Sequence, residues 1–315
     1  MPVKVASEWL NSCSGCEIAI LNLGETLLDL LPQLEFVHIP VLMDHKHYGQ
    51  LGDKSEIDIP KATVGLLSGG IRNEEHLEVA HEMRKKCDIL IALGTCATHG
   101  GIPALINSYT NQQLMDDYYT TPSTDPGVSV PDNGLSPLLE RCYAVDEHID
   151  VDIYLPGCPP HPDQIAAAIL ALLNGETPEL PFKSVCDTCP TIRKGKGSVT
   201  NIKRFTTKPD FDPDQPIDQM RCLLEQGYLC AGPVTRAGCA GDNGEAPRCL
   251  SARVPCRGCY GPVRQEGNQL LDMLNALASN GIDIDTIPDR DNLLRFSGAH
   301  NRLVPQRVPH TKGDI

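Results

Sequence analysis

Cysteine is the residue type that stands out for chemistry in this chain. Three Cys-x-x-Cys pairs occur: Cys13 and Cys16 in "NSCSGCE", Cys186 and Cys189, and Cys256 and Cys259. That spacing lets one short loop present two thiolates to the same metal or cluster, and a complete thiolate site takes four ligands. The chain holds 14 cysteines in 315 residues. The opening "MPVKVASEWL" has no apolar signal-peptide core, so the chain is expected to be cytoplasmic. In a cytoplasmic chain of this length, many cysteines point to metal or redox chemistry rather than disulfides.

Composition narrows the classes further. The net charge of −14 argues against a general phosphate-binding surface, so no nucleic acid partner is expected. No run of about 18 apolar residues is present, and no membrane span is expected. At 41% hydrophobic the chain can bury a real core.

The elements that would position the cysteines read as α/β over residues 1–180. Apolar runs predict strands over 3–10, 34–42, 62–70, 87–95 and 151–157. Helical periodicity spans 17–31, ending at Pro32, and 161–175, ending at Gly175. Residues 73–86 read as a helix with acids at its start and bases at its end, as the helix dipole favours. Residues 107–135 read as a polar, turn-rich excursion. Alternating strands and helices imply a parallel sheet with helices on both faces. Beyond about residue 180, Pro, Gly and Cys rise and periodicity disappears until a helical stretch at 264–279. A second, smaller domain over 181–315, stapled by its cysteines, is therefore expected, with a tail beyond about 297 that is extended, frayed or in contact with a partner.

Ligands of parallel sheets sit beyond the carboxyl ends of the strands. Cys13 and Cys16 follow the first strand, Cys96 follows strand 87–95 in "GTCATHGG", and Cys158 follows strand 151–157 in "LPGCPP". Three strand ends thus deliver four cysteines to one sheet edge. The bland alternative is that Cys96 and Cys158 are ordinary buried thiols, but both lie in Gly/Pro loops rather than within strands.

Eight cysteines remain between 186 and 259: Cys186, Cys189, Cys222, Cys230, Cys239, Cys249, Cys256 and Cys259. They suffice for two sets of four. Spacing alone leaves open a zinc ribbon on Cys186, Cys189, Cys256 and Cys259, which would give the other four no role.

The ordered motifs "CSGCE", "GTCATHGGIP", "LPGCPP", "CLLEQGYLCAGPVTRAGC" and "VPCRGCYGP" resemble the electron-transferring small subunit of NiFe hydrogenases, through residues 3 to about 265. The chain is most similar to the cytoplasmic group 3 enzymes, and among them to the methyl-viologen-reducing, deazaflavin-independent type that serves heterodisulfide reductase. The resemblance implies a flavodoxin-like domain followed by an irregular cluster domain. It implies three 4Fe–4S clusters: a proximal one on Cys13, Cys16, Cys96 and Cys158, a medial one on Cys239, Cys249, Cys256 and Cys259, and a distal one on Cys186, Cys189, Cys222 and Cys230. Two positions depart from the membrane-bound uptake type: Cys186 stands where that type has His, and Cys249 where it has Pro. The nickel site would lie on a large subunit. The implied further partners are an iron–sulfur acceptor subunit and heterodisulfide reductase subunits.

The resemblance leaves several residues with secondary roles. Cys87 and Cys142 are expected to be structural thiols, the first opening a strand, the second in a helix or loop. Glu17 is expected to be a helix-start acid rather than a proton exit, and His99 and His161 are not expected to ligate. Seven bases over 183–208 (Lys183, Arg193, Lys194, Lys196, Lys203, Arg204, Lys208) against Asp187 read equally as a docking patch or a solvated loop. Rival families are a sulfhydrogenase or NAD(P)-reducing small subunit, a zinc-structured interaction protein, and the related quinone-reductase subunit of respiratory complex I. The last carries a single cluster and typically two adjacent cysteines, which this chain lacks.

Overall fold

The computed structural model describes every residue except 50, 126, 128, 132, 196–200, 204–205, 207, 242–244, 288 and 306–315. Lys196 and Arg204 of the basic run, and the last ten residues of the expected tail, therefore lie outside the described residues.

Strands β1 (Val3–Trp9), β2 (Leu34–His38) and β3 (Ala62–Ser68) are followed by a short β4 (Ile71–Asn73), then β5 (Cys87–Leu93), β6 (Leu138–Tyr143) and β7 (Ile153–Leu155). Five of them form one parallel sheet in the order β2-β1-β3-β5-β7. Numbered among themselves these strands run 2-1-3-4-5, the flavodoxin-like winding, whose switch point lies between the carboxyl ends of β1 and β3. The helices of this part are α1 (Gly15–Leu21), α2 (Glu25–Leu30), α3 (Glu74–Lys86), α4 (Gly94–His99), α5 (Asn111–Tyr119) and α6 (Pro162–Leu173). On one face Ala19, Ile20, Leu30, Ile165 and Ala168 of α1, α2 and α6 pack on Val5, Val64 and Ile91. On the other, Val79, Ala80 and Met83 of α3 pack on Ala6, Leu67 and Leu90. Each of the buried Val, Leu, Ile and Met side chains among them contributes about 1.5–3 kcal/mol.

The expected helix over 17–31 is two helices, broken at Gly24, whose φ is +59°. Apolar periodicity continues across the break, and the break itself is a backbone event that periodicity does not report. The excursion at 107–135 contains α5, which buries none of its residues. It has no apolar stripe to reveal it; its signal is the capping box of Thr110 and Gln113. Cys142 lies in β6, a strand paired antiparallel with β4, and not in a helix or loop. That pairing is fixed by the buried Arg72, whose guanidinium donates to Leu139 O and to Asn111 Oδ1.

After residue 180 the described chain has two single α-helical turns, α7 (Val185–Thr188) and α8 (Arg248–Ser251), one longer α-helix, α9 (Gln269–Ser279), four short 3-10 helices and isolated bridges. α9 starts five residues later than its apolar pattern because Asn268 caps it, accepting from the Leu270 and Leu271 N–H groups. Cysteines belong to the core here: Cys230, Cys239 and Cys256 are buried among Val185, Leu224, Val234 and Met273. Residues 297–303 are not a free arm. Ala299 N–H donates to His99 O at 3.2 Å, and His300 N–H to the Glu147 carboxylate at 3.1 Å. Small residues at 297–299 fit this wedge, and size complementarity leaves no periodic trace in sequence.

Candidate functional site

Cys13 and Cys16 lie at the switch point, at the turn into α1 and in its first turn. Cys96 sits in α4 directly after β5, and Cys158 three residues after β7. The charge on Cys16 feels Cys96, Cys158 and Cys13, so the four sulfurs occupy one neighbourhood. Two glycines make the approach possible. A Cβ on Gly94 would lie 2.3 Å from Cys16 Sγ, and one on Gly101 2.6 Å from Cys96 Sγ; both have positive φ. Burial pushes the Cys16 thiol far up and Cys96 to about 12, with neighbouring cysteines pushing the same way. Such a crowd of thiolates is stable only around a strong positive centre.

Thr95 ties these loops together, a role that spacing does not reveal. Its N–H donates to Gly157 O at 2.8 Å, and its hydroxyl accepts from Gly157 N–H at 2.8 Å and donates to Cys259 O at 2.6 Å.

The other eight cysteines fall into two neighbourhoods. Cys186, raised by burial to about 12, is next influenced by Cys230, Cys222 and Cys189. Cys259, also raised by burial to about 12, is next influenced by Cys249, Cys239 and Cys158. Cys239, Cys249, Cys256 and Cys259 line one cavity together with Cys158, Pro159 and Tyr260. The neighbourhoods touch at two points. Cys256 N–H donates to Cys230 Sγ at 3.3 Å, and Cys158 lines the same cavity as Cys259, whose charge it influences. Further backbone N–H groups point at sulfur: Gly232 at Cys230, Gly258 at Cys256, Arg248 at Cys239. Buried thiolate donors, backbone N–H groups aimed at sulfur and glycine-made space are what an iron–sulfur cluster needs, so the residues fit that cofactor.

Cys87 and Cys142 stand apart in role. Cys87 Sγ packs on Gly65, where a Cβ would come within 2.6 Å, and burial raises its thiol to about 11. Cys142 is buried, raised to about 12, and its backbone N–H donates to Asn107 Oδ1 at 2.8 Å. Glu17 is fully buried, and Ser68 Oγ donates to its carboxylate. His161 caps α6, its Nδ1 accepting from Asp163 N–H at 3.3 Å. Part of the basic run serves the fold: Arg193 donates to Cys186 O, and the Lys194 and Gly195 N–H groups donate to Glu225 at 2.9 Å.

The first part of the chain, residues 13–172, matches the family model "NADH ubiquinone oxidoreductase, 20 Kd subunit". One subunit of the vhu F420-non-reducing hydrogenase of Methanocaldococcus jannaschii is 42% identical over 299 residues, covering 94% of this chain and 95% of that protein. The chain belongs to the NiFe hydrogenase small subunits. It is thus part of an oxidoreductase whose catalytic nickel lies on another chain. A crystal structure of an NAD+-reducing NiFe hydrogenase matches at 31% identity with a TM-score of 0.51, covering 61% of this chain and 99% of that one. The NiFeSe hydrogenase structure from Dm. baculatum shares the fold over 83% of this chain and 95% of that one, with a TM-score of 0.53 at 21% identity. Among the described residues no helix is long and apolar enough to cross a membrane.

His99 gives a pH-dependent expectation. Burial holds its imidazole neutral, pulling its pKa to about 3, and the nearby His300 adds to this. An unfolded His99 titrates near 6.5. Its neutral burial therefore costs nothing above pH 6.5 and destabilises increasingly as pH falls toward 3, because only the unfolded chain takes up the proton. His99→Gln should lose less thermal stability than the wild type between pH 7 and 4.5, by about 1–3 kcal/mol, read as melting temperature against pH.

Proposed function

We propose that the chain is the electron-carrying subunit of a cytoplasmic F420-non-reducing NiFe hydrogenase. It would conduct electrons released from H2 at the large subunit's nickel to an iron–sulfur acceptor subunit and heterodisulfide reductase subunits. Residues 1–180 would hold the proximal 4Fe–4S cluster on Cys13, Cys16, Cys96 and Cys158. Residues 181–315 would hold the medial one on Cys239, Cys249, Cys256 and Cys259 and the distal one on Cys186, Cys189, Cys222 and Cys230. Such clusters supply reversible one-electron uptake.

One observation carries the reading: the three neighbourhoods of four cysteines are linked in series. Cys158 meets Cys259, and Cys256 meets Cys230. The Cys186 neighbourhood of Cys189, Cys222 and Cys230 also speaks against a zinc ribbon. The protein's own share is to exclude water from the sulfurs, to aim N–H groups at them, and to fix their spacing through Thr95 and the Cys256 amide. The exposed Cys13, with Trp9 and Ile18 half-exposed on the same edge, gives the large subunit a surface to cover.

The second reading is an NAD(P)-reducing or sulfhydrogenase small subunit. It is favoured by the match to the NAD+-reducing structure, which covers much less of the chain than the F420-non-reducing relative does. Anaerobic purification with bound partners separates the two. The proposal expects about twelve iron and twelve sulfide per chain and heterodisulfide reductase subunits in the complex. A flavin- and NAD(P)-binding pair in their place would overturn the acceptor assignment, and zinc without iron would overturn the whole reading.

A further inference from the structure

Three ligand-type side chains outside the cysteine sites converge where β1 meets β2. Glu8 comes from β1, His38 ends β2, and His47 comes from the connection over residues 39–61. His38 Nε2 lies 2.5 Å from Glu8 Oε1, and His47 Nε2 lies 3.0 Å from the same oxygen. The three donor atoms all lie within 4.8 Å of one another. Glu8 and His38 are 1% and 0% exposed, and the His47 side chain is 31% exposed.

A carboxylate this deeply buried needs a positive partner. Among the described residues Glu8 has no Lys or Arg in ion-pair contact; its partners are the two imidazoles and the Trp9 N–H, which donates to Oε2 at 3.2 Å. Glu75 at the start of α3 also acts on His47, and the His45 ring stacks on His38 at 5.8 Å between centroids. Two imidazoles and one carboxylate are a donor set for a borderline divalent metal such as Zn2+. In a tetrahedral Zn2+ site the donor atoms stand about 3.4 Å apart. Both Glu8–imidazole separations are hydrogen-bonded distances, and ligation requires the Glu8–His38 contact to open by about 1 Å and the Glu8–His47 contact by about 0.4 Å. The exposed side of His47 leaves room for a water as fourth ligand.

We propose that Glu8, His38 and His47 form a mononuclear divalent transition-metal site of the zinc class, independent of the twelve cluster cysteines. It pins the connection between β2 and β3 to the sheet. Among its described residues that connection contains no helix or strand, and its backbone bonds are turn-type contacts such as Asp58 N–H to His47 O at 2.8 Å. A single long-range metal tie therefore has a large effect on its order.

The test uses the holoprotein, purified anaerobically with its clusters loaded, equilibrated with Zn2+ and desalted. His47 lies on a partly exposed connection, so its variants keep the core intact. Wild type is expected to retain about one zinc per chain with a nitrogen and oxygen shell by zinc-edge X-ray absorption. His47→Ala should bind it at least tenfold more weakly, His47→Asp should retain it, and iron content should be the same in all three. Zn2+ should raise the melting temperature of the wild type and not of His47→Ala. Equal zinc in wild type and His47→Ala, sulfur in the zinc shell, or no retained zinc in the wild type would overturn the proposal and leave a hydrogen-bonded triad.

Discussion

Replacing Gly94 by Ala is expected to abolish the site at the switch point. Gly94 has a φ of +82°, and a Cβ there would lie 2.3 Å from Cys16 Sγ. The left-handed backbone costs an Ala about 1–2 kcal/mol, and the overlap then forces Cys16 or the β5–α4 turn to move. Cys16 has little freedom, because it sits in the first turn of α1 with Ala19 and Ile20 packed beneath it. Thr95, the next residue, holds both the Cys158 loop and Cys259, so movement of the turn spreads to the neighbouring cysteines. The variant should lose about four iron per chain, and H2-dependent reduction of an artificial acceptor should fall at least tenfold. Gly175→Ala is the control: φ is +74°, but nothing lies within 4 Å of the added Cβ. It should melt about 2–4 °C lower with full iron. Full iron in Gly94→Ala would show that Cys16 does not share a cluster with Cys96.

Cys249→Pro is expected to remove one iron from the medial site and no more. Cys249 lies in α8 with its neighbour Pro247 as cap, so a proline there falls in the first turn, where a missing N–H is tolerated. The Arg248 N–H that points at Cys239 is untouched by the exchange. The expected signature is a fall from about twelve to about eleven iron per chain, a new three-iron EPR signal, and a higher medial potential, because the irons of the oxidised three-iron core are all ferric. An unchanged iron count and spectrum would remove Cys249 from the ligand set. Together the two variants separate the first two sites of the series, since the first acts through backbone sterics and the second through a ligand.

The sheet was legible because its signals are local. β3 and β5 are buried on both faces and read as continuous apolar runs, and α3 carries acids at its start and bases at its end. Strand ends then placed Cys13, Cys16, Cys96 and Cys158 at one edge. The short β4 and β6, the solvated α5 and the wedge at 297–303 left no periodic trace. Each is held by long-range partners such as Arg72 with Leu139 O and Ala299 with His99 O.

The sequence by itself determined that thiolate chemistry dominates, that a parallel α/β unit delivers four cysteines from three strand ends, and which family the ordered motifs resemble. Only the tertiary structure decided which of the later cysteines are neighbours, that Cys158 meets Cys259 and Cys256 meets Cys230, and that Thr95 joins those loops. It alone brought Glu8, His38 and His47 together. The physical reason is the range of the forces involved. Helix periods, caps and Cys-x-x-Cys spacings act over a few residues and are written in order along the chain. Which distant groups meet is set by strand register, such as Ala6 opposite His38, and by burial in a common core, and neither is a property of any short stretch.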